Sequence, residues 1–189
     1  MPRGLSSTIK TELAKDKIAF ADIVELHFDT LYRLTNCQID VVTATDTASS
    51  GTYAANGSLL SFDTVTETGE AKVNQINLSL SGASNTYTNL FLNNDYVDRR
   101  IVVYRIFFNN QMQILGSPVM MFDGEIQSYV INETGATSTL SITSASVFYE
   151  FERVNGRRTN DASQKAIFPT DNGLKYSAIT LEDLRWGKP

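Results

Sequence analysis

Residues 51–82 read GTYAANGSLLSFDTVTETGEAKVNQINLSLSG. Near the end of this stretch Ile76, Leu78 and Leu80 alternate with polar residues, which is typical of a strand with one buried face. Asn56-Gly57 lies between apolar residues and predicts a tight turn, because both residue types accept positive φ. The stretch therefore predicts two β segments joined by polar residues, and no residue type typical of catalysis stands out in it.

The sequence on either side of this stretch is also rich in β signals. The strongest is RIVVYRIFF (residues 100–108), whose nearly continuous apolar run predicts a central strand covered on both faces. ADIVELHF (residues 21–28) predicts another strand. Asp123-Gly124 between apolar runs predicts either a hairpin turn or a bulge in one long strand. We count seven to nine strands, which favours a mainly β, β-rich α+β fold of the antiparallel barrel or sandwich type.

Short helices complete the predicted architecture, and one of them, over residues 86–93 (TYTNLFLN), is predicted as either a helix or a turn. Leu5, Ile9 and Leu13 recur every four residues and predict an N-terminal helix capped by Ser6 or Ser7. Asp161-Ala162-Ser163-Gln164 resembles a second helix start, and Pro169 would stop that helix. The composition shifts near residue 150, so we expect a β-rich core over residues 1–150 and a C-terminal arm over residues 151–189.

Composition and charge argue against several classes of protein. The net charge of −5 disfavours a general nucleic-acid binder, which needs clustered Lys and Arg for phosphate contacts. No apolar run reaches 18 residues, so we expect no membrane insertion. Cys37 is the only cysteine, which leaves no internal disulfide and no cysteine-based metal cluster. We interpret Cys37 as a small buried hydrophobe.

The search for catalytic or cofactor motifs predicts no enzyme, no cofactor and no metal. The sequence has neither a Gly-x-Ser-x-Gly nor a glycine-rich phosphate loop. His27 shares a strand face with Glu25 and Asp29, a pattern that suits a base or a metal ligand, but we interpret it as a residue on the wet face of a strand. The cluster of Asp63, Glu67 and Glu70 is read as a solvated acidic turn rather than a cation site.

The remaining candidate side chains fit contacts between subunits better than catalysis or ligand binding. Paired arginines can hold carboxylates bidentately, within a chain or across an interface, and aromatic residues crowd the junction between core and arm. The candidate interface residues are Arg99, Arg100, Phe148, Tyr149, Phe151, Arg157, Arg158 and Trp186.

Five segments, taken in order, resemble the family of phage tail-tip and baseplate hub proteins that also occurs in gene transfer agents. They are LSSTIKTELAKDK (5–17) with ADIVELHF (21–28), the stretch of residues 52–82, NDYVDRRIVVYRIFF (94–108), MMFDGEIQSY (120–129), and NGRRTNDASQKAIFPTDNGLKYS (155–177) with the final Trp186-Gly187. Some relatives are longer and carry a cysteine-bearing C-terminal region; because Cys37 is the only cysteine here, no metal cluster is carried over. No catalytic residue is carried over either.

The resemblance implies a tube-like β fold and a structural role in the virion. It implies a homo-oligomeric ring at the distal end of the tail tube, assembled in the host cytoplasm, with a trimer preferred over a hexamer. The ring would contact tube, distal tail and tip or fibre proteins, and DNA would pass through its lumen without specific binding.

Alternatives remain open at this point. Within the same assembly, the chain could be the hexameric distal tail ring protein. From another class, a carbohydrate-binding or hydrolytic β-sandwich would need an aromatic platform or a pair of opposed acids, and an intracellular ligand-binding barrel is a weaker candidate.

Overall fold

The computed structural model describes residues 6–15, 18–65, 72–82, 85–135, 137–149 and 159–177. The chain divides into two compact units, Met1–Phe151 and Glu152–Pro189, and each is described by itself.

The first unit is built on strands and has two short helices in its described part. Its elements, in chain order, are α1 (Ser7–Leu13), β1 (Ala19–His27), β2 (Leu31–Thr35), β3 (Val41–Thr43), β4 (Gly51–Tyr53), β5 (Leu59–Phe62), β6 (Gln75–Ser81), α2 (Asn85–Asn93), β7 (Arg100–Phe108), β8 (Ile114–Glu133) and β9 (Ser138–Ser146). Seven strands form one antiparallel sheet in the order β2-β1-β7-β8-β9-β6-β5, and β3 pairs with β4 in a separate hairpin. The β-rich α+β class predicted from the sequence is confirmed.

The large sheet curls around one apolar core, which we call the first core. Val24 of β1 and Leu34 of β2, at one end of the sheet, belong to the same buried cluster as Leu59 of β5 and Leu78 of β6, at the other end. Such contact between the two ends requires the sheet to bend into an open barrel. Burial along β6 alternates as predicted, with Ile76, Leu78 and Leu80 inside.

Strand β7 is buried on both faces, which confirms the prediction from its continuous apolar run. Ile101 and Val103 point into the first core. Val102, Tyr104, Ile106 and Phe108 point the other way, into a second core that the β3–β4 hairpin covers with Val41 and Tyr53. The second core explains why residues on both phases of this strand are apolar.

Asp123-Gly124 lies inside the long strand β8, so the alternative of a hairpin turn is wrong. The first part of β8 pairs with β7 and the second part with β9, and Gly124 is aligned with Ile101 on one side and Ser146 on the other. A Cβ at Gly124 would contact the Ala145 carbonyl oxygen and lie 2.7 Å from the Phe122 ring. Register shifts at Met121 and at Gln127 flank this crossing point, as expected where a strand changes partner.

Local capping explains the helix ends and turns. The Ser6 hydroxyl accepts a hydrogen bond from the Ile9 amide at 3.3 Å, so the predicted cap is confirmed, and Ile9 is buried beside Gly116 of β8. Helix α2 buries Tyr87, Leu90 and Phe91 in the first core. Gly57 has a φ of +69°, as its predicted turn requires.

The second unit contains helix α3 (Asp161–Ile167) in its described part. Its N-cap is Asn160, whose Oδ1 accepts a hydrogen bond from the Ser163 amide at 2.8 Å, so the helix begins one residue earlier than a cap at Asp161 would imply. The helix ends before Pro169, as predicted. The Lys165 ammonium lies 2.9 Å from the Asp161 carboxylate one turn away.

Candidate functional site

A carboxylate lies buried between the sheet and the β3–β4 hairpin. Glu25 of β1 has no exposed surface. The alternation along this strand had indicated that Glu25 and His27 share a face that is exposed to solvent. The interpretation was wrong because the hairpin covers this face, with Tyr53 of β4 and Tyr104 of β7 both fully buried nearby.

Four side chains donate hydrogen bonds to this carboxylate. Oε1 accepts from the Tyr53 hydroxyl, and from the Thr45 hydroxyl at 2.7 Å. Oε2 accepts from the Thr47 hydroxyl at 2.5 Å and from His27 Nε2 at 3.0 Å, which fixes the proton of the imidazole on Nε2 because a carboxylate only accepts. We call Glu25, Tyr53, Thr45, Thr47 and His27 the Glu25 network.

The network keeps Glu25 ionised. Burial alone would raise the pKa of Glu25, but the hydrogen bonds from Thr47, Tyr53, Thr45 and His27 together outweigh it and leave the pKa below its usual value. Burial, followed by the hydrogen bond to Glu25 and its negative charge, raises the pKa of Tyr53. A protonated phenol and an ionised carboxylate are the states that this hydrogen bond requires.

The Glu25 network attaches the loop between β3 and β4 to the sheet, and we call this attachment the tether. Each oxygen of Glu25 already has two donors, so neither is free to accept a substrate proton or to bind a cation. The described ranges contain no group of three or more His, Cys, Asp or Glu side chains arranged to hold a metal ion. Thr45 and Thr47 belong to the loop between β3 and β4, and the carboxylate therefore fastens that loop to the sheet.

Two further contacts hold the same hairpin in place. The guanidinium of Arg33 lies 5.8 Å from the centre of the Tyr53 ring and donates to the Ser49 carbonyl at 3.0 Å. Backbone hydrogen bonds also link Ala54 to β2, through the Arg33 carbonyl and the Thr35 amide. The hairpin is thus fixed by charge, apolar burial and backbone pairing together.

The structure separates the residues that a nucleophile–base pair would need. His27 is at one end of β1, whereas Cys37 is partly buried next to the second core and lines a groove with Ala21. His27 lies six positions along the strand from Ala21, a distance of about 20 Å at the usual rise per residue. Asp29, which was expected to share the face of His27, instead lies 3.0 Å from the Arg99 guanidinium.

Both residues of the Arg99-Arg100 pair bind acids of their own chain. Arg100 makes a bidentate contact with Asp123, at 2.8 and 2.7 Å, across β7 and β8. Arg99 also donates to the Asp95 carbonyl at 3.1 Å. From the sequence, these arginines could bind acids of the same chain or of another subunit. Within the described residues, both contact acids of the same chain.

The remaining candidate interface residues fall in two groups. Phe148 follows β9 and is half exposed, and Tyr149 beside it is partly buried. Phe151, Arg157, Arg158 and Trp186 lie outside the described residues. In the acidic turn, Asp63 accepts hydrogen bonds from the backbone and side chain of Asn77, at 3.2 and 2.8 Å, while Glu67 and Glu70 lie outside the described ranges.

A second buried acid was missed by the sequence reasoning. Asp22 is buried and makes a two-point contact with Arg105, at 2.7 and 3.3 Å, while the guanidinium stacks on Phe20 with 4.4 Å to the ring centre. The sequence does contain a signal for this pair. Asp22 is in phase with Val24, and Arg105 is in phase with Val103, and both valines lie in the first core. Oppositely charged residues at core phase in two strands indicate a pair.

Several aromatic rings gather at one end of the open barrel but pack on one another. Phe28 contacts Tyr32 and Phe91 edge to face, and Tyr96 contacts Tyr129 in the same way. Their faces and edges are used for packing against the first core, and this arrangement gives no support to the carbohydrate-binding alternative.

Comparisons with known proteins agree with the resemblance that the sequence segments indicate. No protein-family model matches the chain. Over 145 residues, 70% of this chain, it is 24% identical to the baseplate hub protein pb3 of Escherichia phage T5. This stretch spans only 15% of that protein.

A solved structure shares the fold. A chain in the virion of a native gene transfer agent particle matches with a TM-score of 0.55 and 15% sequence identity, covering 82% of this chain and 49% of that chain. The resemblance to phage tail-tip and baseplate hub proteins is confirmed by these two matches. In the described ranges, no helix is long and apolar enough to cross a membrane.

Proposed function

We propose that this chain is a structural component of a phage tail tip or baseplate, a hub ring that joins the tail tube to the distal tip. The observation that carries the proposal is the sequence similarity to a baseplate hub protein, which extends over 145 residues. The shared fold with a chain of a gene-transfer-agent virion supports it.

The chemistry of the described residues supports a role without catalysis. The most buried acid, Glu25, is held by four donors, and the imidazole nearest to it is one of them. These contacts fasten the β3–β4 hairpin, so the side chains that first suggest catalysis already have a structural use.

A ring is the assembly that the proposal requires. Identical subunits close a ring through heterologous contacts, in which two different surfaces of the chain meet. We propose a trimer as the first candidate and a hexamer, as for a distal tail ring protein, as the second. The residues proposed for these contacts are Arg99, Arg100, Phe148, Tyr149, Phe151, Arg157, Arg158 and Trp186.

The proposed neighbours are other tail proteins. The β-rich core of residues 1–150 would form the ring, and residues 151–189 would extend over an adjacent subunit or protein. Tube, distal tail and tip or fibre proteins would contact its two faces, and DNA would pass through the ring. Assembly would take place in the host cytoplasm, and the finished protein would be located in the virion.

Two measurements test the proposal. An affinity tag on the chain, detected by gold labelling in electron micrographs of purified particles, should mark the distal end of the tail. Light scattering on the purified protein then gives the number of subunits per ring. As a control, the tagged gene must complement a deletion of the untagged gene. Absence of the chain from purified particles would then contradict the proposal. Labelling along the tail or on the head would contradict the proposed position at the tail tip.

A further inference from the structure

The turn between β4 and β5 contains an asparagine that is followed directly by a glycine. In such a pair the backbone nitrogen of the glycine can attack the side-chain carbonyl carbon of the asparagine, because glycine has no Cβ to hinder the approach. The sequence has three Asn-Gly pairs, at residues 56–57, 155–156 and 172–173. The first and the third lie in the described residues, and both are exposed to solvent.

Two hydrogen bonds hold the side-chain amide of Asn56. Its Oδ1 accepts from the Ser58 amide at 3.1 Å, and its Nδ2 donates to the Tyr87 hydroxyl at 3.3 Å. The bond to Ser58 closes a ring of atoms that includes the Gly57 nitrogen, so it folds the side chain back towards that nitrogen. Ser58 and Tyr87 are both buried, and the amide is therefore held by fixed parts of the fold.

These contacts favour attack by the glycine nitrogen. The hydrogen bond from Ser58 stabilises the negative charge that develops on Oδ1 as the carbonyl carbon is attacked. Within the described residues the Gly57 amide donates no hydrogen bond, and nothing lies within 4 Å of its Cβ position, so the nitrogen is open to water. A fixed side chain next to an unoccupied nucleophile lowers the entropic part of the barrier.

The Asn-Gly pair at residues 172–173 has the opposite arrangement. The Gly173 amide donates to the Asp171 carboxylate at 2.8 Å, and this hydrogen bond lowers the pKa of Asp171, so the carboxylate is ionised. The glycine nitrogen must lose its proton to attack, and an adjacent negative charge disfavours the anion that this loss produces. Both pairs are exposed, so the contact with a carboxylate is what separates them.

We infer that Asn56 is a site of spontaneous deamidation in the folded protein and that Asn172 is protected from the same reaction. The deprotonated Gly57 nitrogen forms a bond to the side-chain carbonyl carbon of Asn56, the bond from that carbon to Nδ2 breaks, and Nδ2 takes up a proton from water and leaves as ammonia. The product is a succinimide ring. Water then opens the ring at the side-chain carbonyl carbon to give aspartate, or at the backbone carbonyl carbon to give isoaspartate. The overall reaction consumes water, releases ammonia and involves no oxidation or reduction.

The reaction changes the β4–β5 turn in two ways. A carboxylate replaces the amide, so position 56 can no longer donate a hydrogen bond to Tyr87. Isoaspartate also adds a methylene group to the backbone of a turn that is fixed on both sides, by Asp40 at the Ala55 amide and by the Ser81 amide at the Ser58 carbonyl. The inference goes beyond the proposed function and does not depend on it.

The test follows both sites in the purified wild-type chain at mildly alkaline pH. Peptide mapping by mass spectrometry gives the rate of asparagine loss at positions 56 and 172 separately, and an isoaspartyl methyltransferase labels the isoaspartate that forms. The same measurement in guanidinium chloride gives the ratio of the two rates that the local sequence alone sets. In the folded protein the rate at position 56 relative to position 172 should exceed that ratio about tenfold, the usual effect of a neighbouring charge on an ionisation.

Asp171→Ala is the matched variant, because it removes the carboxylate that contacts the Gly173 amide. It should raise the rate at position 172 about tenfold in the folded protein and leave the rate at position 56 unchanged. The inference is overturned by equal rate ratios in the folded and unfolded chain, by faster loss at position 172 than at position 56 in the folded wild type, or by an unchanged rate at position 172 in the variant. The wild-type comparison needs no substitution and decides the matter if the variant does not fold.

Discussion

The phenol of Tyr53 donates a hydrogen bond to the carboxylate of Glu25, and both side chains are fully buried. The two residues are 28 positions apart and belong to different sheets, so this bond joins the β3–β4 hairpin to the large sheet. Because one partner is charged, the bond belongs to the stronger class of protein hydrogen bonds.

Tyr53→Phe should therefore destabilise the protein. The substitution removes one donor from a buried carboxylate while preserving the ring, and we expect a loss of about 1–3 kcal/mol in the free energy of unfolding. Urea unfolding followed by circular dichroism measures the change. Tyr176→Phe, at an exposed tyrosine, is the control and should be neutral. Equal effects of the two substitutions would argue against the tether.

The stabilisation by Glu25 should depend on pH. Its pKa is lowered in the folded state, so the unfolded chain binds the proton more tightly and the ionised carboxylate stabilises the fold above the unfolded pKa of about 4.3. The difference in free energy of unfolding between wild type and Glu25→Gln should be largest above that pH and shrink as the pH falls through the folded pKa.

This comparison is best made in a His27→Gln background. His27 contacts the same carboxylate and is the only histidine of the chain, so its replacement removes the imidazole from the comparison. A difference that stays constant from pH 7 to pH 3, or grows on acidification, would mean that Glu25 is not ionised in the fold.

Gly124→Ala should be strongly destabilising, because a Cβ at this position meets the Ala145 carbonyl and the Phe122 ring. Both groups belong to the paired sheet and cannot move away freely, and we expect a cost of roughly 1–3 kcal/mol. Gly135→Ala is the matched control, since nothing lies within 4 Å of its Cβ position. Thermal unfolding of the two variants measures the difference in their stability. Equal stability of the two variants would mean that a side chain fits at position 124 without a clash.

The two arginine–aspartate pairs should differ in their energetic value. Arg105→Met leaves the buried Asp22 without its cation, which we expect to cost on the order of 3 kcal/mol. Arg100→Met removes a bidentate pair that is more exposed, and should cost below about 1 kcal/mol. Unfolding in urea at low and high salt measures both. A larger loss for Arg100→Met would contradict this ranking by burial.

The strands were predictable because their signal is local. Alternation in residues 76–80 and the apolar run of residues 100–108 each report burial from within one segment, and the structure agrees with both. The cap at Ser6 and the turn at Asn56-Gly57 follow from the chemistry of the residues themselves.

The polar sites were less predictable because their partners are distant in sequence. Glu25 was placed on a wet face since a lone acid in a strand usually faces solvent. Its threonine donors come from a loop 20 and 22 positions away, and its tyrosine donor comes from β4, 28 positions away. Asp22 and Arg105 are 83 positions apart. Only the register of β1 against β7 brings them together, and register depends on packing of the whole sheet.

The pairing of β8 with both β7 and β9 has a consequence for synthesis on the ribosome. Until residues 114–146 have emerged, β1, β2 and β7 can form one half of the sheet and β5 with β6 another, but β8 and β9, which join the halves, are missing. Their apolar faces stay uncovered in the meantime, and partly folded chains of this kind aggregate readily. Emergence of β8 and β9, rather than an early collapse, is then the event that covers the apolar faces of a nascent subunit.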